Sequence, residues 1–326
     1  MKSGLRASRL LFPLVGVALS LMACGGESGA NPVDATATSA GTGGAGGGGN
    51  GGAGGAGEGG EGGEGGEGGG GAGGEDGTIP VELRFEGRVG DDVFSCEDSY
   101  AVGTSQTEVR LNDFRLYIHD VRLRRADGEE VPVALDQDGL WQYENVALLD
   151  FEDKSGSCAN GTQDTNSVVR GAVPAGEYDG LSFKVGVPSE LNHGDASTAP
   201  SPLNLSGLWW NWTAGYKFLR IDSAAEAGQG AFIVHVGSTG CVSGADGEVT
   251  CDRPNIAEVV LEGLNPLTTK VLVDYAALVL DSDVGGSEGC MSEPNNPECA
   301  LVFTRLGIDV TDGSPRPEHQ AFFRVE

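Results

Sequence analysis

Apolar and polar residues alternate with a period of two along most of the chain after residue 78. This alternation, and short runs of β-branched residues, predict strands that bury at least one face. The segments with this pattern contain Val81, Leu83 and Phe85; Phe114, Leu116 and Ile118; Leu181, Phe183 and Val185; Phe232, Val234 and Val236; Val259 and Leu261; Val271 and Val273; and residues 322–325. The chain is therefore expected to be mainly β.

Turn-forming residues separate these segments, as in Ala126-Asp127-Gly128 and Pro174-Ala175-Gly176. No stretch of 12 residues has a strong helical stripe, and only residues 275–280 suggest a short helical turn. No break rich in Gly, Pro or Ser divides residues 78–326. We therefore expect one domain there, an antiparallel β-sandwich with long loops.

The chain begins with basic residues followed by an apolar run over residues 10–23, a pattern typical of a signal peptide. The run of about 14 residues is shorter than the roughly 20 that a permanent transmembrane helix needs. It ends in Leu21-Met22-Ala23-Cys24, which resembles a bacterial lipobox and predicts lipidation of Cys24. Gly25 stands where an aspartate would favour retention in the inner membrane, so we expect an outer-membrane lipoprotein. Ordinary cleavage beside an unmodified cysteine is the alternative.

Residues 24–77 contain little besides Gly, Ala, Ser, Thr and Glu, with Glu58, Glu61, Glu64 and Glu67 separated by glycine pairs. Such a composition cannot bury a core, and the tract lacks the proline of a collagen helix. We interpret it as a disordered tether between the lipid anchor and the domain.

The chain carries 48 acidic residues against 20 basic ones, a formal net charge of −28. Nucleic acid is an unlikely class of partner, because binding to phosphates needs a basic surface. Solubility of an exported protein explains the charge most simply. Attraction of metal cations, or of a basic face on a partner protein, is the more specific explanation.

Six cysteines follow Cys24, an even number that predicts three disulfides in an oxidising compartment. Six cysteines allow 15 pairings. Short spacing favours Cys241 with Cys251 and Cys290 with Cys299, which leaves Cys96 with Cys158. Zinc binding is the weaker alternative, because the sequence has no CxxC or HxxxH spacing.

Four histidines and a tryptophan cluster are the main candidates for chemistry. Export makes histidine a plausible ligand for a late transition metal, but His119, His193, His235 and His319 show no ligand spacing. Residues 207–218 hold three of the four tryptophans. On a strand, Trp210 and Trp212 would share one face and Trp209 would point away. Core packing, a carbohydrate platform and an oxidation relay all remain open at this point.

Several local strings, in a consistent order from about Val81 to the C-terminus, resemble the MbnP-like family, also called the metallo-mystery pair four-Cys motif family. They are Asn112-Asp113-Phe114-Arg115-Leu116-Tyr117, the segment from Trp141 to Glu152, Gly186-Val187-Pro188, Asn192-His193, Trp210-Asn211-Trp212, Gly215-Tyr216-Lys217-Phe218, His235-Val236-Gly237-Ser238-Thr239-Gly240-Cys241, and Gly289-Cys290-Met291-Ser292 followed by Cys299.

This resemblance implies a copper-binding protein without turnover of its own, the partner of a di-haem enzyme of the MauG and cytochrome c peroxidase type. That enzyme oxidises a tryptophan of the partner to kynurenine. The resemblance implies His193 and His235 as copper ligands, Trp210 or Trp212 as the modified residue, and Cys241, Cys251, Cys290 and Cys299 as the four-Cys motif. Cys96 and Cys158 would form an additional bridge.

Two other functions remain as alternatives. A carbohydrate-binding or calcium-dependent adhesion module would use the tryptophans and acidic loops such as Asp281-Ser282-Asp283, since calcium prefers oxygen ligands. A hydrolase has less support, because no Ser-His-Asp order, nucleophile elbow or phosphate loop is present. We therefore expect a protein that is not an enzyme.

Overall fold

The structure is a computed structural model that describes residues 77–226, 228 and 230–326. The predicted signal peptide, the lipidation of Cys24 and the tether lie outside the described residues. Within the described ranges, no helix combines the length and apolar character that crossing a membrane requires.

Strands dominate the described part of the chain. In chain order they are β1 (Thr78–Val89), β2 (Asp92–Val93), β3 (Tyr100–Val102), β4 (Thr107–Arg124), β5 (Glu130–Pro132), β6 (Ala134–Leu135), β7 (Gln142–Tyr143), β8 (Val146–Asp150), β9 (Val168–Pro174), β10 (Gly180–Val185), β11 (Trp209–Asn211), β12 (Gly215–Tyr216), β13 (Leu219–Ala225), β14 (Ala231–Val236), β15 (Thr239–Ser243), β16 (Val249–Arg253), β17 (Ala257–Glu262), β18 (Lys270–Asp274), β19 (Gly289–Cys290) and β20 (Phe323–Val325). The helices are α1 (Ser189–Asn192), α2 (Tyr275–Leu278) and α3 (Pro297–Leu306), with 3-10 turns at Ser206–Leu208 and Pro317–His319.

Two large sheets form the domain. The first has the order β20-β18-β1-β9-β6, with β2 on β1. The second has the order β17-β10-β4-β13-β14-β19, with β3, β5 and β8 on β4 and β7 on β8. Hairpins β11-β12 and β15-β16 stand outside both sheets. Most strand pairs are antiparallel, but β1 with β18 and β14 with β19 are parallel.

The main core lies between the two sheets. Phe85 on β1 meets Phe183 on β10 edge to face, with ring centroids 5.7 Å apart, and Phe183 meets Phe323 on β20 at 5.1 Å. Alternate residues of β1 are buried, including Val81 and Leu83, as a strand with one face on a core requires. The predicted mainly-β sandwich is therefore confirmed.

Three disulfides join Cys96 to Cys158, Cys241 to Cys251 and Cys290 to Cys299. These are the pairs that the cysteine spacing favours. The second pair links β15 directly to β16, where the two cysteines are opposite each other in the strand register.

Helix α3 was overlooked in the sequence, although its signals are present. Asn296 caps it by accepting from the Glu298 amide, Pro297 occupies the first turn, and Gly307 ends it in a left-handed conformation with φ 76°. Its buried residues are Cys299, Val302, Phe303 and Leu306, which lie on one helical face. The helix has 10 residues, so its apolar stripe is shorter than 12 residues. The predicted helical turn near Tyr275 is present as α2.

Candidate metal centre

Three neighbouring strands of the second sheet place charged side chains on one face. Arg220 on β13 is directly opposite Arg115 on β4 and His235 on β14, and Asp222 is opposite Asp113. Residues that are opposite each other in a sheet point to the same side. The intervening residues of β13 and β14, such as Ile221 and Val234, point into the core.

His235 is held by a carboxylate at one ring nitrogen and is free at the other. Its Nε2 lies 2.6 Å from Oδ1 of Asp222, while its Nδ1 is buried without a hydrogen-bond partner. A carboxylate accepts, so a neutral imidazole here carries its hydrogen on Nε2 and has a lone pair on Nδ1. Burial would raise the pKa of Asp222, but the hydrogen bond from His235 and the charge of Arg220 outweigh it and lower that pKa.

Asp222 belongs to a longer charged network. Arg220 donates to Asp222 from Nη2 at 2.6 Å and lies 3.1 Å from Asp113. Arg115 donates from Nε to Asp113 at 2.8 Å and lies 3.7 Å from Glu152. Because each carboxylate has a guanidinium partner, the network keeps Asp222 in position beside His235.

The far end of this network is a buried pair of acids. Burial raises the pKa of Asp150 to about 8 and also raises the pKa of Glu152, although Arg115 acts in the opposite direction. The Thr162 hydroxyl donates to Asp150 at 2.8 Å. Gly161 packs so closely on Glu152 that a Cβ at this position would overlap the carboxylate.

The tryptophan hairpin β11-β12 contacts His193 and approaches Gly237, which follows the His235 strand. The Trp210 ring covers Gly237, two residues after His235, so closely that a Cβ on Gly237 would lie 2.5 Å from Cζ3 of Trp210. The ammonium of Lys217 lies 5.8 Å from the centre of the Trp210 ring. Burial lowers the pKa of Lys217. Trp210 is therefore the tryptophan packed beside the His235 strand.

The expectation that Trp210 and Trp212 share a strand face is wrong. Strand β11 ends at Asn211, whose side chain accepts from the Thr213 and Ala214 amides, so the chain turns at Trp212. The Trp212 side chain is 51% exposed. Trp209 packs instead against a second, smaller core.

His193 follows α1 and contacts the turn of the same hairpin. Its Nδ1 lies 3.0 Å from the carbonyl oxygen of Trp212. Its Nε2 lies 3.2 Å from Nδ2 of Asn192 and 3.6 Å from Sγ of Cys251. Since the carbonyl can only accept, the imidazole hydrogen is on Nδ1, and Nε2 accepts from the amide of Asn192 beside Cys251. Potential ligand atoms of His193, Cys241 and Cys251 lie within 4.8 Å of one another.

The two predicted histidine ligands have different neighbours. His193 contacts Trp212, Asn192 and Cys251, whereas His235 contacts Asp222. His119 is buried with Nδ1 2.9 Å from the Gly186 carbonyl, and its pKa is lowered by burial. His319 is exposed beside Glu318.

Sequence reasoning missed the charged network that orients His235. Its signal was the pairing of opposite charges two residues apart, Asp113 with Arg115 and Arg220 with Asp222. This spacing places both members of each pair on one strand face, but it does not identify the strand opposite.

Comparisons with known proteins agree on one family. A family model described as MbnP matches residues 78–292. Among solved structures, MbnP from Methylosinus trichosporium is similar, with a TM-score of 0.68 and 35% sequence identity. That match covers 76% of this chain and 98% of the other. No curated protein matches this chain.

Proposed function

This chain belongs to the MbnP family, and from that premise we propose that it is an exported copper-binding protein, modified by a di-haem partner of the MauG type and without turnover of its own. The proposed copper ligands are His235 and His193. The proposed modification converts Trp210 to kynurenine.

The observation that carries the proposal is the orphaned ring nitrogen of His235. A buried polar atom without a partner is costly, and a bound ion would relieve that cost. The carboxylate of Asp222 fixes the hydrogen on Nε2, and a carboxylate bonded to one ring nitrogen commonly orients a histidine that binds metal through the other. The residues present therefore fit a metal that favours neutral imidazole.

Copper suits this donor set by affinity order and by ligand type. When bound, it would supply a redox-active cation. Kynurenine would add an aniline nitrogen and a ketone oxygen, whereas the indole of tryptophan offers only an N–H donor. Conversion of a tryptophan beside the histidines would therefore add donor atoms to the centre.

Trp210 is favoured over Trp212 as the modified residue because its ring covers Gly237, next to the His235 strand. Trp212 is half exposed, so an oxidising partner reaches it first, and oxidising equivalents would pass from there to Trp210. With two equivalents of hydrogen peroxide as oxidant, the indole C2–C3 bond breaks, two oxygens are added and two waters are released. Hydrolysis then releases formate and leaves kynurenine.

The alternative of a carbohydrate or calcium module gains no comparable support among the described residues. Trp209 packs against a core, and Asp281 accepts from Arg305 at 2.9 Å instead of facing an open loop. A carbohydrate module would need a flat aromatic platform, and a calcium module would need an unpaired acidic cluster.

The proposed localisation rests on the N-terminal sequence. We propose that lipidated Cys24 anchors the chain in the outer membrane and that residues 25–77 tether the domain. A tether of this composition would let the domain reach a separate haem enzyme by diffusion.

Copper titration of the purified chain tests the copper centre. His235→Ala should weaken copper affinity by about tenfold or more in competition with a chelator, and His193→Ala should weaken it too. His319→Ala is the matched control, because this imidazole is exposed and distant in sequence from the site. Wild-type stoichiometry and affinity in His235→Ala would disprove the proposal.

A further inference from the structure

His193 lies beside the disulfide of hairpin β15-β16. His193 Nε2 lies 3.6 Å from Sγ of Cys251, and the ligand atoms of His193, Cys241 and Cys251 are within 4.8 Å of one another. The two cysteines form a disulfide, so neither sulfur is a thiolate ligand in this state. We propose that reduction of Cys241–Cys251 opens a second metal site, in which two thiolates and His193 bind a thiophilic ion such as Cu(I) or Zn²⁺.

The backbone would hold both sulfurs together after reduction. Cys241 is directly opposite Cys251 in an antiparallel ladder, and the flanking pairs Thr239 with Arg253 and Val242 with Thr250 continue it. Opposite residues in a hairpin point to the same side. Two thiols therefore remain neighbours because the ladder, and not only the S–S bond, positions them.

The imidazole is already oriented as a ligand. Its Nδ1–H donates to the Trp212 carbonyl, as the second ring nitrogen of a metal-bound histidine usually donates to a carbonyl or a carboxylate. A metal ion at Nε2 would replace the hydrogen bond from Asn192. Zinc binds thiolate at about 2.3 Å and imidazole at about 2.0–2.1 Å, so a tetrahedral ion separates the two donor atoms by roughly 3.6 Å. The distance between Nε2 of His193 and Sγ of Cys251 is 3.6 Å.

Exposure distinguishes this disulfide from the other two. Cys241 and Cys251 are partly exposed, whereas Cys96, Cys158, Cys290 and Cys299 are each at most 3% exposed. Cys251 and His193 also line a surface cavity with Asn192 and Ser238. A small thiol can therefore reach Cys251 without unfolding the domain, because hairpin β15-β16 stands outside both large sheets.

The reduction balances with a dithiol as the reductant. One thiolate of the donor attacks a sulfur of the pair and forms a mixed disulfide, and the second donor thiol resolves it. Two electrons and two protons pass to Cys241 and Cys251, and the donor becomes a disulfide. The incoming ion then displaces the two thiol protons. Soft thiolates with one imidazole select Cu(I) or Zn²⁺ over hard cations.

This site differs from the proposed copper centre in its chemistry and in two of its three ligands, although it shares His193. Failure of one proposal is therefore distinguishable from failure of the other. His235→Ala removes only the copper centre, and the Cys241→Ser, Cys251→Ser double variant removes only the thiolate site.

Cobalt titration of the full chain tests the site. The protein is reduced mildly with a phosphine and desalted without oxygen. The free thiols are mapped by alkylation of a separate sample, so that the sample for titration keeps its thiols. Cys241 and Cys251 should be alkylated first. Added Co²⁺ should then produce a thiolate-to-cobalt charge-transfer band that saturates at one equivalent and that the oxidised protein lacks. His193→Ala should weaken Co²⁺ binding by about tenfold or more, and His319→Ala and His235→Ala should retain it.

Three results would overturn the proposal. The first is reduced protein with free thiols at Cys241 and Cys251 but without the charge-transfer band. The second is His193→Ala with wild-type affinity for Co²⁺. The third is reduction of Cys290–Cys299 before Cys241–Cys251. The Co²⁺ titration of reduced wild-type protein with mapped thiols can already contradict the proposal. The test therefore does not depend on the folding of the double-cysteine variant.

Discussion

Nε2 of His235 lies 2.6 Å from Oδ1 of Asp222, and this one contact decides which nitrogen of the imidazole is free. Because Asp222 occupies Nε2, only Nδ1 can bind a metal. In the proposed copper centre, Asp222 is thus a positioning residue that need not touch the metal.

Replacement of Asp222 should weaken copper binding without unfolding the domain. Asp222→Asn removes the charge that holds the imidazole in its tautomer, so copper affinity should fall by about 10–100-fold. Asp222→Glu should restore part of the loss. Asp281→Asn is the matched control, since Asp281 bonds to Arg305 at the surface. Equal copper affinity of Asp222→Asn and wild type, measured by chelator competition, would contradict the assignment.

Modification should occur at Trp210 in protein from the native host or from co-expression with the haem enzyme. Kynurenine in place of tryptophan loses one carbon and gains one oxygen, a shift of about +4 Da. Trypsin cleaves after Lys184 and Lys217, so one peptide holds all three tryptophans of this segment and fragmentation must locate the change. Trp210→Phe should abolish the shift, whereas Trp209→Phe should retain it. A shift located at Trp212 would contradict the preference for Trp210.

The aromatic contact between the sheets should dominate local stability. Phe183 is buried against Phe85 and Phe323, so Phe183→Ala should lower the free energy of unfolding by about 3–5 kcal/mol. Val242→Ala on the exposed hairpin should change it by less than about 0.5 kcal/mol. Denaturant titration measures the free energy of unfolding of both variants. Similar decreases in the two variants would contradict a central role of Phe183 in the core.

The buried acid Asp150 should make stability depend on pH. Burial raises its pKa to about 8, against about 3.9 in an unfolded chain. The folded state then holds the proton of Asp150 more tightly than the unfolded chain does. The resulting stabilisation of the folded state is complete below about pH 4 and is lost as pH rises to about 8. The slope is at most about 1.4 kcal/mol per pH unit.

Asp150→Asn should flatten this dependence between about pH 4 and 8, because the amide does not titrate. Unfolding free energies measured from pH 5 to pH 9 check it. Asp164→Asn, at an exposed position nearby, should keep the wild-type slope. A slope in Asp150→Asn equal to wild type would assign the pH dependence to other groups.

Lipidation of Cys24 should decide where the protein is found. Cys24→Ala should move the protein from the membrane fraction to the soluble periplasmic fraction, because several acyl chains are needed for stable anchoring. The domain should keep its copper affinity in that variant. Recovery of Cys24→Ala in the membrane fraction would indicate a different anchor.

The local alternation of apolar and polar residues was sufficient to predict the mainly-β architecture, because this alternation shows which face of a strand is buried. The spacing of the cysteines likewise indicated the three disulfides, since short loops close most easily. The resemblance of local strings identified the family, and the matches to MbnP confirm it.

The neighbours of the site residues depended on tertiary structure. Asp222 meets His235 only because β13 pairs with β14 in one register, and a slip of one strand by one residue would place the two side chains on opposite faces. His193 reaches Cys251 across a separation of 58 residues, which no local pattern encodes. The sequence by itself determined which strand faces are buried and which residues are candidates for chemistry, and the pairing of distant strands decided which of those residues touch.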